Sequence, residues 1–594
     1  MRVPYRFAVS PLLLACLAVA ACEPSPPPPS AGTDPSGTTL GQQPSPPEPA
    51  AIETVELPAP PATTAEPATE KPWDGPFLGV TQSSAGIYAD TKRSKAAKFG
   101  YAQEGAKVPV EATPIAAENC KLGWYRLASG GFICGDDGTL NLDDPRIKLG
   151  PKQPDLDGTL PYRYARNAHN GTPLYRSVPS RAQIEEYEPW RFEKKIPEKS
   201  AATVASTKSP VATSGTDGTQ ERAKESPANE RAKEEEARRL AALAAAQRAM
   251  LGEAAAKKLA QEGADLSVAT GRTSAPKAGD NDAGAPEKPW WQHEKPKLND
   301  LRIEDLEEQG DGPLARRMVK GFYIAVDKMF EWQGSQWYRS TKGYVAQTDR
   351  FHLTEGSSFR GVELNETWKL PVAWPYGHEE SKTSYAYDEE AKRFRPKGKV
   401  KRQEAVHLSG EERELNGTRY VATVDGLWLR AKDLRITQPG PVPKEVAENE
   451  RWIDVNLATQ TLVLFEGSRP IFATLISSGK ESSVKDQDHR TPMGQWRIMT
   501  KHITATMDGD GSAAGDLPYS IEAVPYVMYF HKSYATHGAF WHRNYGSQMS
   551  HGCVNLAPLD AKHVFFNTEP AVPQGTHGAW STETRPGSWV VVHR

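Results

Sequence analysis

The chain has 594 residues, which is enough for several domains, and its formal net charge is only −3. So balanced a charge gives no electrostatic basis for binding nucleic acid, and we exclude that partner. A charged fraction of 25% and a mean hydropathy of −0.62 indicate that much of the chain is linker rather than core.

The first residues, 1–21, have the pattern of a secretory signal peptide, with a short basic region before an apolar stretch at 12–19 that is too short to span a bilayer. The stretch 19–22 resembles a bacterial lipoprotein cleavage box, which implies that Cys22 becomes the lipidated first residue. An ordinary signal peptide with a chance cysteine is the alternative. We therefore expect an exported, lipid-anchored protein of the periplasm or cell envelope, and Glu23 favours the outer membrane over the inner.

Two segments have the composition of linkers. Residues 22–75 are rich in Pro, Ala, Ser and Thr, which predicts a disordered tether between the lipid and the folded body. Residues 196–305 form a second low-complexity region, with a helix predicted between a cap at Asn229 and a stop at Gly263. Its apolar seam is thin, which favours a solvated spacer helix over a coiled-coil dimer.

The ordered remainder is β-rich and contains a repeated pattern. Three segments, 123–140, 336–351 and 418–436, each place an aromatic-containing strand before a glycine turn and a second strand, as in a hairpin. The pattern resembles bacterial SH3-like barrels. It predicts modules at 77–145, at 160–352 interrupted by the low-complexity insertion, and at 365–438. One irregular β-domain with chance similarity is the alternative.

The five cysteines have separate expected fates. Cys16 leaves with the signal peptide, and Cys22 carries lipid. Cys120 and Cys134 flank one short aromatic segment, so a disulfide between them is plausible in an oxidising compartment. Cys553 is then left without a partner, and an unpaired exported thiol is a liability unless its reactivity is used.

Residues 450–594 differ in character from the modules. They begin with two alternating strands around a turn at 466–467, continue with a TPMG turn at 491–494, and close with the strand SWVVVHR. Cys553 follows a glycine, and both His537 and His551 are near it in sequence. A free thiol has a pKa near 8.5, so a neighbouring base is needed for it to act as a nucleophile at neutral pH.

This segment resembles the catalytic domain of bacterial L,D-transpeptidases, whose signature is a histidine followed by Ser/Thr-His-Gly-Cys, one residue, and Asn or Arg. The chain has His537-Gly538 and then SHGCVN at 550–555. The resemblance implies a mainly β fold with a C-terminal β-sandwich. It also implies that Cys553 attacks a tetrapeptide stem at the carbonyl after meso-diaminopimelate. His537, held by the Gly538 carbonyl, would take the thiol proton.

The same resemblance assigns supporting roles. Backbone amides around Gly552 and Cys553 would stabilise the oxyanion, and Ser550, His551 and Asn555 would shape the pocket. An amine acceptor would then resolve the thioester: an amine of a neighbouring stem gives a 3–3 cross-link, and an amine of a protein anchors that protein to the wall. The expected partners are peptidoglycan stem peptides and, through Cys22, a membrane; no cofactor or metal is expected. A carboxypeptidase and a non-catalytic wall-binding lipoprotein are the alternatives.

Several other residues of this segment can each be interpreted in two ways. We expect His531 and His542 to be surface residues. The alternative for His542 is a zinc site shared with His537, His551 and Cys553. The stretch 508–512 opens like a calcium loop, but a lid over the donor site is favoured. Arg490 and Lys501 would either meet substrate carboxylates or face solvent.

Overall fold

The computed structural model describes residues 73–192, 289–293, 297–298, 301–484, 488–509 and 518–594. All of them belong to one compact unit that spans 55–594. The predicted signal peptide, Cys22, the tether, the spacer helix and most of the predicted lid loop lie outside the described residues. Within the described residues, we find no helix with the length and apolarity that a membrane crossing requires.

The described chain is mainly β, as predicted. The elements before residue 440 fall into three groups. The first group is β1 (Phe77–Val80), β2 (Ser84–Tyr88), β3 (Lys98–Gln103), β4 (Lys107–Pro109), β5 (Ile115–Ala117), β6 (Cys120–Arg126), β7 (Phe132–Cys134), β8 (Gly138–Thr139) and α1 (Pro145–Lys148). The second is β9 (Arg163–Asn167), β10 (Thr172–Tyr175), α2 (Arg181–Tyr187), β11 (Leu314–Met318), β12 (Tyr323–Trp332), β13 (Ser335–Ser340), β14 (Val345–Gln347) and β15 (Phe351–Thr354). The third is β16 (Val362–Glu363), β17 (Val372–Pro375), β18 (Ser381–Asp388), β19 (Arg393–Lys401), β20 (Val406–Leu415), β21 (Thr418–Thr423), β22 (Trp428–Arg430) and β23 (Leu434–Ile436).

The C-terminal group carries the cysteine motif. It consists of β24 (Arg451–Asn456), β25 (Thr461–Glu466), β26 (Arg469–Leu475), β27 (Gly494–Arg497), β28 (Thr500–Gly509), β29 (Tyr519–His531), β30 (Tyr534–Gly538), β31 (Val554–Leu556), α3 (Pro558–Phe566), β32 (Gly578–Trp580) and β33 (Trp589–His593).

The three predicted hairpins are present, and each is built in the same way. Strands β6–β7, β13–β14 and β21–β22 pair antiparallel, and each turn contains a glycine with positive φ. A 3₁₀ turn follows each hairpin and leads into the next strand, a feature the sequence did not suggest. This shared order supports the repeat, and the SH3-like assignment stays a prediction.

The second module is assembled from both sides of the insertion. Strand β9 pairs with β12 and β15, and β10 pairs with β11 and β14, all antiparallel. In the first module the Sγ atoms of Cys120 and Cys134 form a disulfide, with their Cα atoms 5.8 Å apart.

The C-terminal domain is a two-layer β structure. One sheet has the order β16-β26-β25-β24-β33-β27, and the facing strands are β28 to β31. Their core contains alternate residues of both layers, together with one face of α3. Its fully buried members include Ile453, Leu464, Tyr526, Val554 and Phe565. Burial of such side chains stabilises the fold by about 1.5–3 kcal/mol each, as an upper estimate.

The modules continue the sheets of this domain. Strand β3 of the first module pairs antiparallel with β32, and β12 of the second module contacts β29 in parallel at Tyr323 and Ile521. The short strand β16 adds to β26. Hydrogen-bonded strands, rather than linkers alone, therefore join the modules to the cysteine-bearing domain.

Candidate active site

The cysteine-bearing segment is held between two stretches of chain. On one side β31 pairs in parallel with β30. On the other, the backbone N–H groups of Ser477 and Asn555 each donate to the other residue's carbonyl at 2.9 Å, and Gly479 forms a bridge with Ser550. The backbone around Cys553 is consequently fixed on both sides before any substrate arrives.

The strand register brings Cys553 and His537 to the same face. His537 lies opposite Asn555, and Thr536 lies opposite Val554. Since side chains alternate along a strand, Cys553 shares a face with Asn555 and therefore with His537, one diagonal step away. The burial pattern is consistent with this register. Val554 lies in the core of the sandwich, whereas Cys553 packs against a separate hydrophobic cluster that contains Ala535.

His537 has the environment of a neutral base. It is only 3% exposed, and burial lowers its pKa to about 4, although the Gly538 carbonyl opposes this shift. Its Nδ1 lies 3.3 Å from the Gly538 carbonyl oxygen. A carbonyl can only accept a hydrogen bond, so Nδ1 carries the proton and Nε2 remains available to accept one.

Cys553 stands immediately before β31 and is half-buried, with Sγ 3.9 Å from the Ser533 carbonyl oxygen. Burial raises the pKa of its thiol to about 11, while a backbone hydrogen bond from Ala535 opposes the rise. The resting pair is thus a neutral thiol and a neutral imidazole.

The turn before the cysteine is shaped by Ser550. Its Oγ accepts from the Gly552 N–H at 3.1 Å and donates to the Cys553 carbonyl at 2.5 Å. The Gly552 amide, which we expected to face the oxyanion, is therefore already bonded to Ser550. The position also requires glycine, because Gly552 has φ +119° and a Cβ there would lie 2.5 Å from the Tyr534 ring.

Thr491, in the TPMG turn, holds the same segment from the other side. Its Oγ1 donates to the Gly552 carbonyl at 2.8 Å and accepts from the Gly479 N–H at 2.9 Å. The sequence marked this motif as a turn but not as a support for the cysteine. The link between the two motifs exists only in three dimensions.

His542 is part of the site rather than the surface residue we expected. Burial lowers its pKa to about 4, so it is neutral. The Asn544 N–H donates to Nδ1 at 3.3 Å, so the proton of a neutral ring lies on Nε2, which is 3.0 Å from the Asn555 side-chain amide. The structure places Nδ2 of that amide at this distance and leaves Oδ1 without a partner; exchanging the two atoms of the amide would let Oδ1 accept the Nε2 proton.

The other histidines pack against aromatic rings. His551 stacks on Tyr519 with ring centroids 5.4 Å apart and meets His489 at 4.9 Å. His531 stacks on Trp496 at 4.7 Å. His551 is thus exposed but packed between two aromatic side chains.

Of the two charged residues with alternative interpretations, Lys501 fits neither, and Arg490 faces solvent. Lys501 is 1% exposed, and its Nζ donates to the carbonyls of Phe565 and Thr568, so both interpretations of it are wrong. Burial lowers its pKa to about 7. Arg490 is exposed and pairs with Asp488 at 2.7 Å.

The described residues contain a single group of acidic, cysteine or histidine side chains close enough to share a metal ion, formed by Cys120, Cys134 and Asp136. The two sulfurs of that group are joined in the disulfide. The zinc alternative at residues 537–553 therefore gains no support.

One family model, described as the L,D-transpeptidase catalytic domain, matches residues 450–592. Residues 450–592 are an L,D-transpeptidase catalytic domain. The match covers the sandwich and the cysteine segment and leaves out all three modules. No curated protein matches the chain.

Solved L,D-transpeptidase structures are also similar to part of this chain. A cysteine-to-serine mutant of the Enterococcus faecium L,D-transpeptidase is 24% identical, over 24% of this chain and 50% of its own, with a TM-score of 0.18. The catalytic domain of the E. faecium enzyme is 24% identical, over 24% of this chain and 98% of its own (TM-score 0.19). L,D-transpeptidase 3 from Mycobacterium tuberculosis, in complex with a faropenem-derived adduct, is 16% identical, over 32% of this chain and 78% of its own (TM-score 0.19). The chain thus spans half the length of the first of these proteins.

Proposed function

We propose that this protein is a peptidoglycan L,D-transpeptidase that uses Cys553 as its nucleophile and His537 as its base. The observation that supports this proposal is the register of β30 and β31 inside an L,D-transpeptidase catalytic domain: His537 lies opposite Asn555, and Cys553 directly precedes β31. The backbone that presents the thiol is fixed by Ser477 and Thr491.

The proposed reaction has two steps. The Cys553 sulfur attacks the carbonyl of a donor tetrapeptide stem as Nε2 of His537 takes the thiol proton. The bond to the terminal D-alanine breaks, that proton passes to the leaving amine, and a thioester remains. An amine of a second stem then attacks the thioester, gives its proton to His537, and forms an amide as the thiol is regenerated.

The proposal extends to the envelope. The chain would be exported, lipidated at Cys22 and tethered by residues 22–75, so that its modules hold the catalytic domain against the cell wall. The support is the lipoprotein-like sequence at 19–22 and the repeated β-modules that contact the catalytic domain through β3 and β12.

Product analysis tests this function. Purified full-length protein is incubated with tetrapeptide muropeptides, and the products are identified by mass spectrometry. We expect 3–3 dimers and D-alanine from the wild type and neither from Cys553→Ala. Cys134→Ser, which removes a cysteine of the first module, is the matched control and should remain active.

Each other outcome points to a stated alternative. Tripeptides and D-alanine without dimers would indicate that water resolves the thioester, as in a carboxypeptidase. Identical products from wild type and Cys553→Ala would overturn the enzyme assignment. If, in addition, Cys553 is not labelled by a carbapenem while the protein still binds sacculi, the chain is a wall-binding lipoprotein.

A further inference from the structure

A line of aromatic rings runs from the second module to the imidazole of His537. The Tyr164 ring stacks on Phe540, with centroids 3.8 Å apart and an angle of 24° between the planes. Phe540 meets Trp541 edge-on at 5.1 Å, and Trp541 lies 5.6 Å from the His537 ring. Tyr323, also from the second module, contacts the edge of Phe540 at 5.4 Å. The three longer contacts lie within the separation of about 4.5–7 Å that favourable ring pairs adopt, and the Tyr164–Phe540 stack is closer than that.

Tyr164 is itself fixed at both ends. Its ring is fully buried, and its hydroxyl donates to the Ala523 carbonyl at 2.5 Å. Ala523 lies in β29 and has φ +50°, a conformation that non-glycine residues seldom adopt without support from their surroundings. Burial raises the pKa of Tyr164 well above its usual value, so the hydroxyl keeps its proton and remains a donor.

Polar contacts hold the second module against the same strand. The Ala325 N–H donates to the Glu522 carboxylate at 3.2 Å, and the Arg316 guanidinium donates to Ser520 Oγ at 2.7 Å. Both contacts are buried, so breaking either leaves unsatisfied polar groups in the interior. The second module is therefore built into the catalytic domain at β29.

The thiol borders this contact. The hydrophobic cluster between the two domains includes Tyr162 and Tyr164 from the module and Ala535 and Phe540 from the catalytic domain, and Cys553 packs against it. The burial that sets the thiol and imidazole pKa values thus depends in part on side chains from outside residues 450–592.

We propose that the second module is part of the catalytic centre, in which Tyr164, acting through Phe540 and Trp541, positions the imidazole of His537. This inference depends on the proposed role of His537 as the base. Tyr164 touches neither substrate nor thiol and is a positioning residue. Without its ring, Phe540 and Trp541 can shift into the vacated space, and a displacement of about 1 Å at a catalytic group can cost about 100-fold in rate.

Substitutions in the full-length protein test the proposal by D-alanine release from a tetrapeptide muropeptide. Tyr164→Leu should lower kcat by about 10- to 100-fold and leave KM within about 3-fold. Tyr164→Phe keeps the stacked ring and should restore most of the rate. Tyr175→Leu is the matched control: Tyr175 is also fully buried in the second module, but it donates to Glu188 and packs in a different cluster. Its kcat should not change.

A double-mutant cycle and an NMR titration complete the test. If Tyr164 acts through Phe540, adding Tyr164→Leu to a Phe540→Leu variant should lower kcat little further. If the losses in kcat of the two substitutions are fully additive, the proposal is overturned. An equal fall in kcat for Tyr175→Leu would also overturn it, because the effect would then be one of module folding. The His537 imidazole, followed by NMR, should titrate near 4 in the wild type and closer to 6.5 in Tyr164→Leu.

The NMR titration needs no turnover, so it separates the two hypotheses. Absence of D-alanine release from the wild type would refute the proposed function alone. An unchanged His537 titration in Tyr164→Leu would refute the positioning role alone.

Discussion

The neutral resting state of the nucleophile can be tested by alkylation. Burial sets the pKa of the Cys553 thiol at about 11 and that of His537 at about 4. At pH 8 a thiol with a pKa near 11 is about 0.1% ionised, whereas one with the usual pKa of about 8.5 is about a quarter ionised. The native thiol should therefore have about 200-fold less thiolate than the same cysteine in unfolded protein.

The assay follows iodoacetamide modification of the Cys553 peptide by mass spectrometry between pH 6 and 11, in native protein and in urea. Restricted access of iodoacetamide would slow alkylation of the native protein equally at every pH. The decisive quantity is therefore the pH at which the alkylation rate inflects, not the absolute rate. We expect the native rate to keep rising through pH 10. A native rate that is already constant from pH 6 to 9 would show a thiolate–imidazolium pair and refute this reasoning. Turnover should agree, with the acid limb of kcat/KM near pH 4 rather than 6.5.

Three substitutions test other parts of the structure. Gly552→Ala should reduce D-alanine release by at least about 100-fold, because Gly552 has a φ of +119° and the space beside it is occupied. Gly426→Ala is the control: Gly426 has a φ of +81° with nothing within 4 Å of an added Cβ, so this variant should keep its activity. Equal activity in both variants would contradict the prediction. Lys501→Met removes the donor to two buried carbonyls and should destabilise the catalytic domain by about 2–4 kcal/mol; an unchanged thermal midpoint would show that the ammonium contributes nothing. Cys134→Ser opens a disulfide with a sequence separation of 14, which contributes about 3 kcal/mol to the free energy of unfolding. This loss of stability should appear in calorimetry as earlier unfolding of the first module, while D-alanine release persists. Loss of D-alanine release would show that the disulfide supports the active site.

Local patterns predicted the strands well. The three hairpins, the β25–β26 pair and the closing strand β33 all follow from alternation and turn residues, which act over a few positions. The short 3₁₀ turns after the hairpins did not show in the sequence, because nothing in their composition separates them from loops.

Burial was harder to predict. His542 and Lys501 are polar residues, and their burial depends on residues distant in sequence: Asn555 contacts the half-buried His542, and α3 accepts from the fully buried Lys501. The contact between Tyr164 and Phe540 joins residues far apart in the chain, so neither neighbourhood signals it. The motif at 550–555 indicated Cys553 as the candidate nucleophile, but the positions of Thr491 and Trp541 became visible only in the folded arrangement.

The divided construction of the second module bears on the order in which the protein can fold. Tyr175 pairs with Leu314, so β10 and β11 can form their hydrogen bonds only after the whole intervening stretch has been synthesised. Closing so long a loop carries an entropic cost that grows only slowly with its length, and non-local pairing of this kind slows folding more than it weakens the product. Folding of the second module should consequently be late, and lengthening the interruption should delay the appearance of the folded protein far more than it lowers its final amount.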